Sequence, residues 1–325
     1  MSYTPDNERY SKMKYNRCGK SGLMLPAISL GLWHNFGSVN VFDNMRAMLT
    51  TAFDNGITHF DAANNYGPVP GSAEENLGKI LKTEFCGHRD ELIISTKAGY
   101  RMWPGPYGEF GSRKAMLSSL DQSLKRLQLD YVDIFYSHRY DPNTPLEETM
   151  GALSSAVKQG KALYVGISSY RPEEAKKAID ILKANGTPCL IHQPRYNILD
   201  RWIENTGLID LLEQEGIGSI AFSPLSGGVL TNRYVKEDTD TFWNKSNLSP
   251  ERLEVISQLN KLAKERGQAL SQMSLAWILR KSRVTSALIG ASSPEHVLEG
   301  LSAISNLEFT DDELAEIDRI SSQYK

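Results

Sequence analysis

Short apolar or β-branched runs recur along the chain at a regular spacing. They begin near Ile28, Thr58, Leu92, Val132, Leu163, Leu190, Ser219 and Thr285, and all but the last follow one another at intervals of about 30 residues. Most are followed by an amphipathic stretch of about 10–15 residues, long enough for a helix. A strand and a helix in each repeat are typical of βα units. The pattern therefore predicts eight such units.

The helical stretches have a clear apolar stripe. Segment 116–129 places apolar residues at 116, 117, 120, 124 and 127, which lie on one face of a helix. Segments 146–157 and 172–182 show a similar pattern, and Pro172 occupies a first-turn position that favours proline. Residues 273–279 lie inside another apolar helix. Residues 310–313 begin a terminal helix whose acidic side chains complement the positive end of the helix dipole.

Eight strands alternating with helices indicate a parallel sheet that is either open and doubly wound or closed into a barrel. We favour the (β/α)8 TIM barrel, an α/β fold, because the repeat length fits and no stretch in the middle has the composition of a linker. We expect one domain over residues 1–325. Segment 224–250 is rich in Gly, Ser and Asn and predicts a long active-face loop. The helix after residue 310 would be an extra C-terminal element.

In a barrel, the residues that follow each strand line one mouth, and chemistry is carried there. The residues at these positions are Trp33, His34, Asp61, Lys97, His138, Ser168, Ser169, Gln193, Ser223 and Ser292. Each has an ordinary structural explanation when taken alone. Asp61 suits a turn or cap, His138 suits packing, and Tyr66 suits a loop. Lys97 is harder to explain in this way, since it directly follows a buried strand.

One mechanism gives complementary roles to four of these residues: Asp61, Tyr66, Lys97 and His138. A tyrosine is a weak acid at neutral pH, and a nearby ammonium is expected to lower its pKa by about 1–3 units. Asp61 would hold Lys97 charged and oriented, and His138 would hydrogen-bond a carbonyl oxygen. Such a group protonates an oxygen while a hydride reaches the adjoining carbon.

The motifs that surround these four residues span nearly the whole chain. They read GLW (31–33), FDAANNYG (60–67), AEENLG (73–78), STK (95–97), SH (137–138), VGIS (165–168), AFSPLSGGVL (221–230) and IGAS (289–292). In this order they resemble the aldo-keto reductase family. The resemblance implies an α/β barrel that binds NADP(H) across its C-terminal face, with NAD(H) not excluded. It also implies a catalytic tetrad of Tyr66, Lys97, Asp61 and His138, with Tyr66 as proton donor.

The same resemblance assigns the cofactor and substrate contacts. Ser168 and Gln193 would hold the carboxamide, and Tyr170 or a nearby aromatic would lie against the nicotinamide ring. The pyrophosphate would contact Ser223, Leu225 and Arg233, and the adenosine end Ser292, His296 and Glu299. The complete set of expected cofactor contacts is Trp33, Asp61, Ser168, Gln193, Ser223, Leu225, Arg233, Ser292, His296 and Glu299. Trp33, Tyr66, Trp103 and His138 would line the substrate pocket, with Tyr107 nearby.

Within the family, the RCGKSGL opening (17–23) and the SPLSGGVLT loop (223–231) resemble a branch with two kinds of member. One is the bacterial glyceraldehyde-3-phosphate reductases, and the other is the beta subunits of voltage-gated potassium channels. His138 differs from the asparagine of the channel subunits. The segment after Arg233 lacks the Ile-Pro and Ser-Arg pattern of this branch, and His296 and Gly300 replace the usual residues. These departures leave NADPH and NADH as alternative cofactors.

Composition narrows the setting. The 36 basic and 39 acidic residues give a net charge of −3, which argues against nucleic acid or an anionic membrane as the main partner. The cysteines Cys18, Cys86 and Cys189 show no CxxC pair, and the polar N-terminus lacks the apolar core of a signal peptide. We expect a cytoplasmic protein without a membrane segment.

Other local patterns are set aside. Residues 18–21 (CGKS) end like a phosphate-binding loop but lack its first glycine and a preceding strand. Gly216–Ile217–Gly218 precedes a strand and is read as a helix-to-strand turn. The six histidines show no metal-binding spacing, so no metal site is expected.

The expected function is NAD(P)H-dependent reduction of aldehydes, including methylglyoxal or a triose phosphate. Arg101 and Arg139 near the mouth are candidates for binding a phosphate, although a solvated arginine is the simpler explanation. One alternative is a redox-sensing regulatory subunit that binds cofactor and turns over slowly. Another is an aldolase with Lys97 as Schiff base, which requires a neutral lysine. The relatives of this branch also imply a homo-oligomer, a tetramer or larger.

Overall fold

The fold is seen in a computed structural model that describes residues 3–234 and 248–324. Eight parallel strands close into a barrel in the order β10-β3-β4-β5-β6-β7-β8-β9. They are β3 (Ile28–Gly31), β4 (His59–Asp61), β5 (Ile93–Ala98), β6 (Val132–Ser137), β7 (Ala162–Ser168), β8 (Cys189–Gln193), β9 (Gly218–Ala221) and β10 (Ser286–Ile289). Each begins within one residue of the position that the apolar runs predict. The predicted (β/α)8 barrel is confirmed.

Helices surround the barrel. They are α1 (Phe42–Asp54), α2 (Ser72–Thr83), α3 (Arg113–Leu127), α4 (Leu146–Lys158), α5 (Pro172–Ala184), α6 (Trp202–Asn205), α7 (Leu208–Glu215), α8 (Pro250–Glu265), α9 (Leu270–Leu279), α10 (Pro294–Leu301) and α11 (Asp311–Ser321). The extra C-terminal helix α11 begins with a capping box, in which Thr310 and Glu313 satisfy each other's backbone N–H groups. Its predicted start is confirmed.

A hairpin lies against the amino-terminal ends of the strands. The strands β1 (Tyr15–Arg17) and β2 (Met24–Pro26) pair antiparallel, where the sequence pattern shows only loop. Gly19, with φ +57°, turns the chain, and the next N–H, of Lys20, donates to the carbonyl of Gly216 at 2.8 Å. Residues 18–21 are therefore the turn of a hairpin that covers the closed end of the barrel. The Gly216–Gly218 segment joins α7 to β9, as predicted.

Two apolar cores form inside and around the barrel. The larger lies between the strands and the helices, and it includes Leu49, Phe53, Leu120 and Leu153. The smaller lies inside the barrel near the hairpin and includes Ile134, Tyr136 and Ile220. This packing leaves the other end of the barrel free for polar groups, because the parallel strands all end there.

The long connection after β9 contains short 3-10 turns at Ser226–Gly228 and Asn232–Tyr234, and α8 begins at Pro250. Residues 235–247, which are about half of the predicted active-face loop, lie outside the described residues. Within the described ranges, no helix is long and apolar enough to cross a membrane.

Candidate active site

The four residues of the predicted tetrad come together at the carboxyl ends of neighbouring strands. Asp61 ends β4, Lys97 lies near the end of β5, and His138 follows β6. Tyr66 lies in the loop after β4, and its ring lies 5.8 Å from that of His138, measured between ring centroids. Because β4, β5 and β6 are adjacent in the barrel, these side chains converge although they come from separate parts of the chain.

Lys97 is wholly buried, and its Nζ has three oxygen acceptors. It forms an ion pair with Asp61 Oδ2, donates to the carbonyl of Ala62 at 2.9 Å, and donates to the hydroxyl of Tyr66 at 3.3 Å. Burial lowers the pKa of Lys97, and the Asp61 carboxylate opposes that fall. Three acceptors match the three hydrogens of an ammonium. The arrangement favours the charged lysine.

Tyr66 is the acceptor in its bond with Lys97, so its own hydroxyl hydrogen is available to another group. The pKa of Tyr66 is nevertheless raised well above its usual value, by burial first and then by the Asp61 and Tyr100 charges. The expectation that the ammonium lowers this pKa is therefore wrong. Desolvation of a phenolate outweighs the attraction of the ammonium, whose charge Asp61 already balances.

His138 lies on the other side of the same space. Burial, then the charges of Lys97 and Arg139, lower its pKa well below the usual value, so the ring is neutral at physiological pH. Its Nδ1 is buried, and its side chain makes no hydrogen bond to any residue within 3–234 or 248–324. The ring contacts the edge of Tyr100, with 4.6 Å between centroids. A neutral imidazole held in this way can donate one N–H to an oxygen.

Gln193 and Ser168 lie beside the tetrad at the ends of β8 and β7. Both are buried, and Gln193 Nε2 lies 3.3 Å from Asp61 Oδ1. Ser168 Oγ donates to the carbonyl of Gln193 at 2.9 Å, which leaves its oxygen lone pairs for a ligand. Ser169, the next residue, has φ +61°, a left-handed conformation that is uncommon outside glycine.

The predicted pyrophosphate contacts lie after β9. Ser223 has φ +51°, and its carbonyl accepts from Asn197 Nδ2 at 3.0 Å. Leu225 precedes the 3-10 turn, and the guanidinium of Arg233 lies beside Gly228. Left-handed conformations at several serines along one mouth are the kind of local strain found at ligand sites.

The predicted adenosine-end residues lie at α10. Ser292 Oγ and His296 Nδ1 are 2.8 Å apart and both exposed. Glu299 lies on the same helix and accepts a hydrogen bond from Ser271. Gly300 packs tightly, since a Cβ there would lie 2.8 Å from Ile289.

The substrate side of the mouth is lined by aromatic groups. Trp33 is 57% exposed and stacks near His34, whereas Trp103 is half-buried in the loop after β5. Arg139 forms an ion pair with Glu109, so its charge is already balanced. Arg101 is exposed and makes no hydrogen bond or ion pair within the described ranges.

Tyr170 does not fit the role suggested for it. Its side chain is wholly buried, its hydroxyl lies 2.8 Å from Ser137 Oγ, and its ring packs against Tyr140. It is a core residue, because the chain after β7 turns its side chain into the protein. Phe222 is an aromatic that the sequence reasoning missed. It is half-buried directly after β9, next to Ser223.

A second group missed from the sequence is a set of polar side chains deeper in the barrel. His59 lies two residues before Asp61 and Ser95 two residues before Lys97, and both are wholly buried. Ser95 Oγ donates to Asp61 Oδ1 at 2.6 Å. Residues two apart on a strand share a face. The signal was therefore a polar residue two positions before Asp61 and before Lys97 in strands that otherwise read as buried.

Within residues 3–234 and 248–324, no three His, Cys, Asp or Glu side chains are grouped so that they could hold a metal ion. The site consists of the Asp61 carboxylate, the Lys97 ammonium, the Tyr66 phenol and the neutral His138 ring. These groups lie at the mouth of a (β/α)8 TIM barrel. This combination of fold and site is typical of oxidoreductases that act on carbonyl groups.

Residues 27–322 match the model of the Aldo/keto reductase family. The chain is 55% identical to L-glyceraldehyde 3-phosphate reductase from Escherichia coli O157:H7, with 98% of this chain and 95% of that protein covered. The identity and coverage are the same for the enzyme of that name from Escherichia coli K12. A probable voltage-gated potassium channel subunit beta from Arabidopsis thaliana is 34% identical, over 90% of this chain and 91% of that protein. The chain belongs to the aldo/keto reductase family.

Proposed function

We propose that the protein reduces aldehydes to alcohols with NADPH as the preferred cofactor, and that Tyr66 is the proton donor. The observation that carries the proposal is the bonding of Lys97, whose three acceptors include the Tyr66 hydroxyl. Because Tyr66 accepts from Lys97, its O–H hydrogen is left to point toward a substrate. The high pKa of Tyr66 keeps that hydrogen in place until a carbonyl oxygen gains negative charge.

A reduced nicotinamide bound at this mouth would supply the hydride to the carbonyl carbon. The substrate oxygen would take the hydroxyl proton of Tyr66. One C–H and one O–H bond then form on the substrate, while the carbonyl π bond, the Tyr66 O–H bond and the C–H bond of the hydride donor break. The Lys97 ammonium stabilises the resulting phenolate, and Asp61 keeps Lys97 in position. His138 donates its N–H to the same oxygen and orients it. Water then returns a proton to Tyr66.

Several features support a nicotinamide cofactor at this mouth. Asn64, in the loop between Asp61 and Tyr66, has both side-chain polar atoms buried without a partner in the part of the chain that the structure describes, as expected for a group completed by a ligand. Ser168 and Gln193 offer an oxygen and an amide to a carboxamide, and Phe222 offers a ring face in place of Tyr170. Ser223, Leu225 and Arg233 would hold the phosphates, with Trp33 nearby.

Cofactor preference depends on the adenosine end. We propose that Ser292 and His296 contact a 2′-phosphate and that Glu299 contacts the adenine. The 2.8 Å pairing of Ser292 with His296 places a hydroxyl and an imidazole on one exposed face of α10. NADPH and NADH are compared side by side in the same assay, and a higher kcat/KM with NADPH is the expected result.

A phosphorylated short aldehyde, such as a triose phosphate, is the proposed substrate class, with methylglyoxal as a smaller alternative. The relatives at 55% identity carry the name of a glyceraldehyde-3-phosphate reductase. Near the mouth, Arg101 has no hydrogen-bond or ion-pair partner within residues 3–234 and 248–324, whereas Glu109 already balances Arg139. We expect Arg101→Ala to raise the KM for glyceraldehyde 3-phosphate about tenfold or more, since a charge-assisted contact is lost, and to leave the KM for methylglyoxal unchanged. An equal change for both aldehydes contradicts this role.

The direct test is the loss of reduced-nicotinamide absorbance with a panel of aldehydes. Steady turnover that requires Tyr66 supports the reductase. The 34% identity to a probable channel subunit favours one second candidate, a regulatory subunit that binds cofactor and turns over slowly. Tight cofactor binding without turnover would support it. Borohydride trapping separates both from a Schiff-base aldolase, which the ion pair of Lys97 with Asp61 disfavours.

A further inference from the structure

A continuous line of hydrogen bonds runs through the barrel interior to the Asp61 carboxylate. We call its members, which come from β10, β3, β4 and β5, the interior chain: Ser286, Ser29, His59 and Ser95. All four are wholly buried. The successive distances are 2.6 Å from Ser286 Oγ to Ser29 Oγ, 2.9 Å from Ser29 Oγ to His59 Nδ1, and 3.0 Å from His59 Nε2 to Ser95 Oγ. The last link is the 2.6 Å bond from Ser95 to Asp61.

The donor and the acceptor in each hydrogen bond of the interior chain follow from Asp61, which is its last acceptor. A carboxylate only accepts, so Ser95 donates its hydrogen to Asp61. Ser95 must then accept from His59, which places the imidazole hydrogen on Nε2. Burial is the main cause that lowers the pKa of His59 to about 4, with Lys97 adding to the fall and Asp61 opposing it, so the ring is neutral. Its Nδ1 therefore accepts.

The remaining two hydroxyls complete the same order. Ser29 uses its hydrogen on His59 Nδ1, so the hydrogen between the two serines comes from Ser286. Every donor thus points along the line toward Asp61. A hydroxyl that accepts one hydrogen bond donates a stronger one, so an aligned line of donors acts together on the acceptor at its end.

The two oxygens of Asp61 have different partners. Oδ1 receives Ser95 at 2.6 Å and Gln193 at 3.3 Å, whereas Oδ2 pairs with Lys97. The bond from Ser95 therefore fixes the rotation of the carboxylate as well as stabilising its charge. Lys97 in turn holds the Tyr66 hydroxyl.

We propose that the interior chain is a set of positioning residues that keeps the Asp61 carboxylate ionised and aimed at Lys97, and so sets the acid strength of the Lys97–Tyr66 pair. This inference rests on the proposed reductase function, in which Tyr66 is the proton donor. Asp61 and Lys97 are the charged groups that face His59 in the barrel. None of the four members touches the mouth, so their effect on turnover is transmitted through Asp61.

The test uses serine-to-alanine variants matched in burial. We expect Ser95→Ala to lower kcat about tenfold or more, because a hydrogen bond to a charged group is lost. Ser286→Ala, at the far end, should lower kcat less than about twofold. Ser219→Ala is the control, since Ser219 is a buried strand serine in the same barrel whose Oγ has no hydrogen-bond partner among the described residues. If the serines act only as structural residues, the loss of kcat will not become smaller as the substituted serine lies farther from Asp61.

The pH profile of kcat is the second readout. Ser95→Ala removes a hydrogen bond that favours the charged form of the site, so the acid-side midpoint of kcat should move to higher pH by about half a unit or more. His59→Leu should shift it in the same direction. His59→Gln, which keeps a donor near Ser95, should restore most of the wild-type profile. Unchanged midpoints in Ser95→Ala and His59→Leu would overturn the proposal.

A third readout does not depend on activity. With ¹⁵N-labelled histidine, the His59 signal, assigned from its loss in His59→Leu, should be that of a neutral Nε2–H ring above about pH 5. Ser95→Ala should increase the Nδ1–H tautomer. A wild-type Nδ1–H ring would refute the interior chain whatever the turnover of the variants. If the wild type fails to reduce any aldehyde, the proposed function fails while this measurement still decides the hydrogen-bond direction.

Discussion

Replacing Tyr66 with phenylalanine removes one oxygen and leaves the ring in place. In the structure that oxygen accepts from Lys97 at 3.3 Å, and it is the group proposed to protonate the substrate. General acids contribute about 10²–10⁴-fold to rate, so kcat of Tyr66→Phe should fall by at least about 100-fold. The Kd for NADPH should change less than about threefold, because the cofactor contacts proposed above do not use this hydroxyl.

The same substitution has a structural effect of known size. It leaves one buried N–H of Lys97 without an acceptor, which costs about 1–3 kcal/mol of the free energy of unfolding. The melting temperature should therefore fall by only a few degrees, so the variant stays folded at the assay temperature. Loss of turnover then reports on chemistry rather than on unfolding.

The assay follows reduced-nicotinamide absorbance at saturating aldehyde, with cofactor binding measured separately by fluorescence. Tyr136→Phe is the matched control. Tyr136 is wholly buried in the barrel, and its hydroxyl has no partner within the described ranges. The centre of its ring lies 5.6 Å from Lys97 Nζ. It should keep its turnover. A Tyr66→Phe variant that retains more than about a tenth of the wild-type rate would refute the assignment of Tyr66 as the proton donor.

Three further predictions follow from the same structure. Lys97→Met should abolish measurable turnover. It should also lower the free energy of unfolding by about 3–5 kcal/mol, because it leaves the Asp61 charge buried without its partner. Urea unfolding measures this loss, with Asp61→Asn for comparison. Burial lowers the pKa of His192 to about 4, so the unfolded chain binds a proton that the folded one does not between about pH 6.5 and 4, and stability falls as the pH falls through that window. His192→Gln should reduce this slope by about 1.4 kcal/mol per pH unit, measured by urea unfolding at several pH values. Gly78→Ala should destabilise the protein by about 1–3 kcal/mol, since the added Cβ would lie 2.3 Å from the carbonyl oxygen of Arg126. Gly151→Ala should stabilise it by up to about 1 kcal/mol, because a Cβ there would meet no atom of the described residues within 4 Å.

Periodicity in the sequence was enough to locate the strands and most helices. An apolar run flanked by turns marks a buried strand, and a 3.6-residue stripe marks a helix, whatever lies beyond them. For this reason β3 to β10 begin within one residue of their predicted starts. It also placed Asp61, Lys97 and His138 at strand ends, and the barrel rule then put those ends at one mouth.

Properties that depend on several distant segments could not be predicted in this way. The raised pKa of Tyr66 reflects how completely the folded protein excludes water from its ring. The burial of Tyr170 and the engagement of Arg139 by Glu109 depend on how loops turn after their strands. None of these has a periodic signature, because each depends on which neighbour occupies the adjoining space.

The interior chain shows the difference most directly. The sequence determined that His59 shares a strand face with Asp61 and Ser95 with Lys97, since side chains alternate along a strand. Only closure of the barrel decided that β10 lies next to β3 and that Ser286, 257 positions from Ser29, donates to it. Hydrogen bonds require a separation set to within a few tenths of an ångström, and that separation is a property of the closed sheet rather than of any single strand.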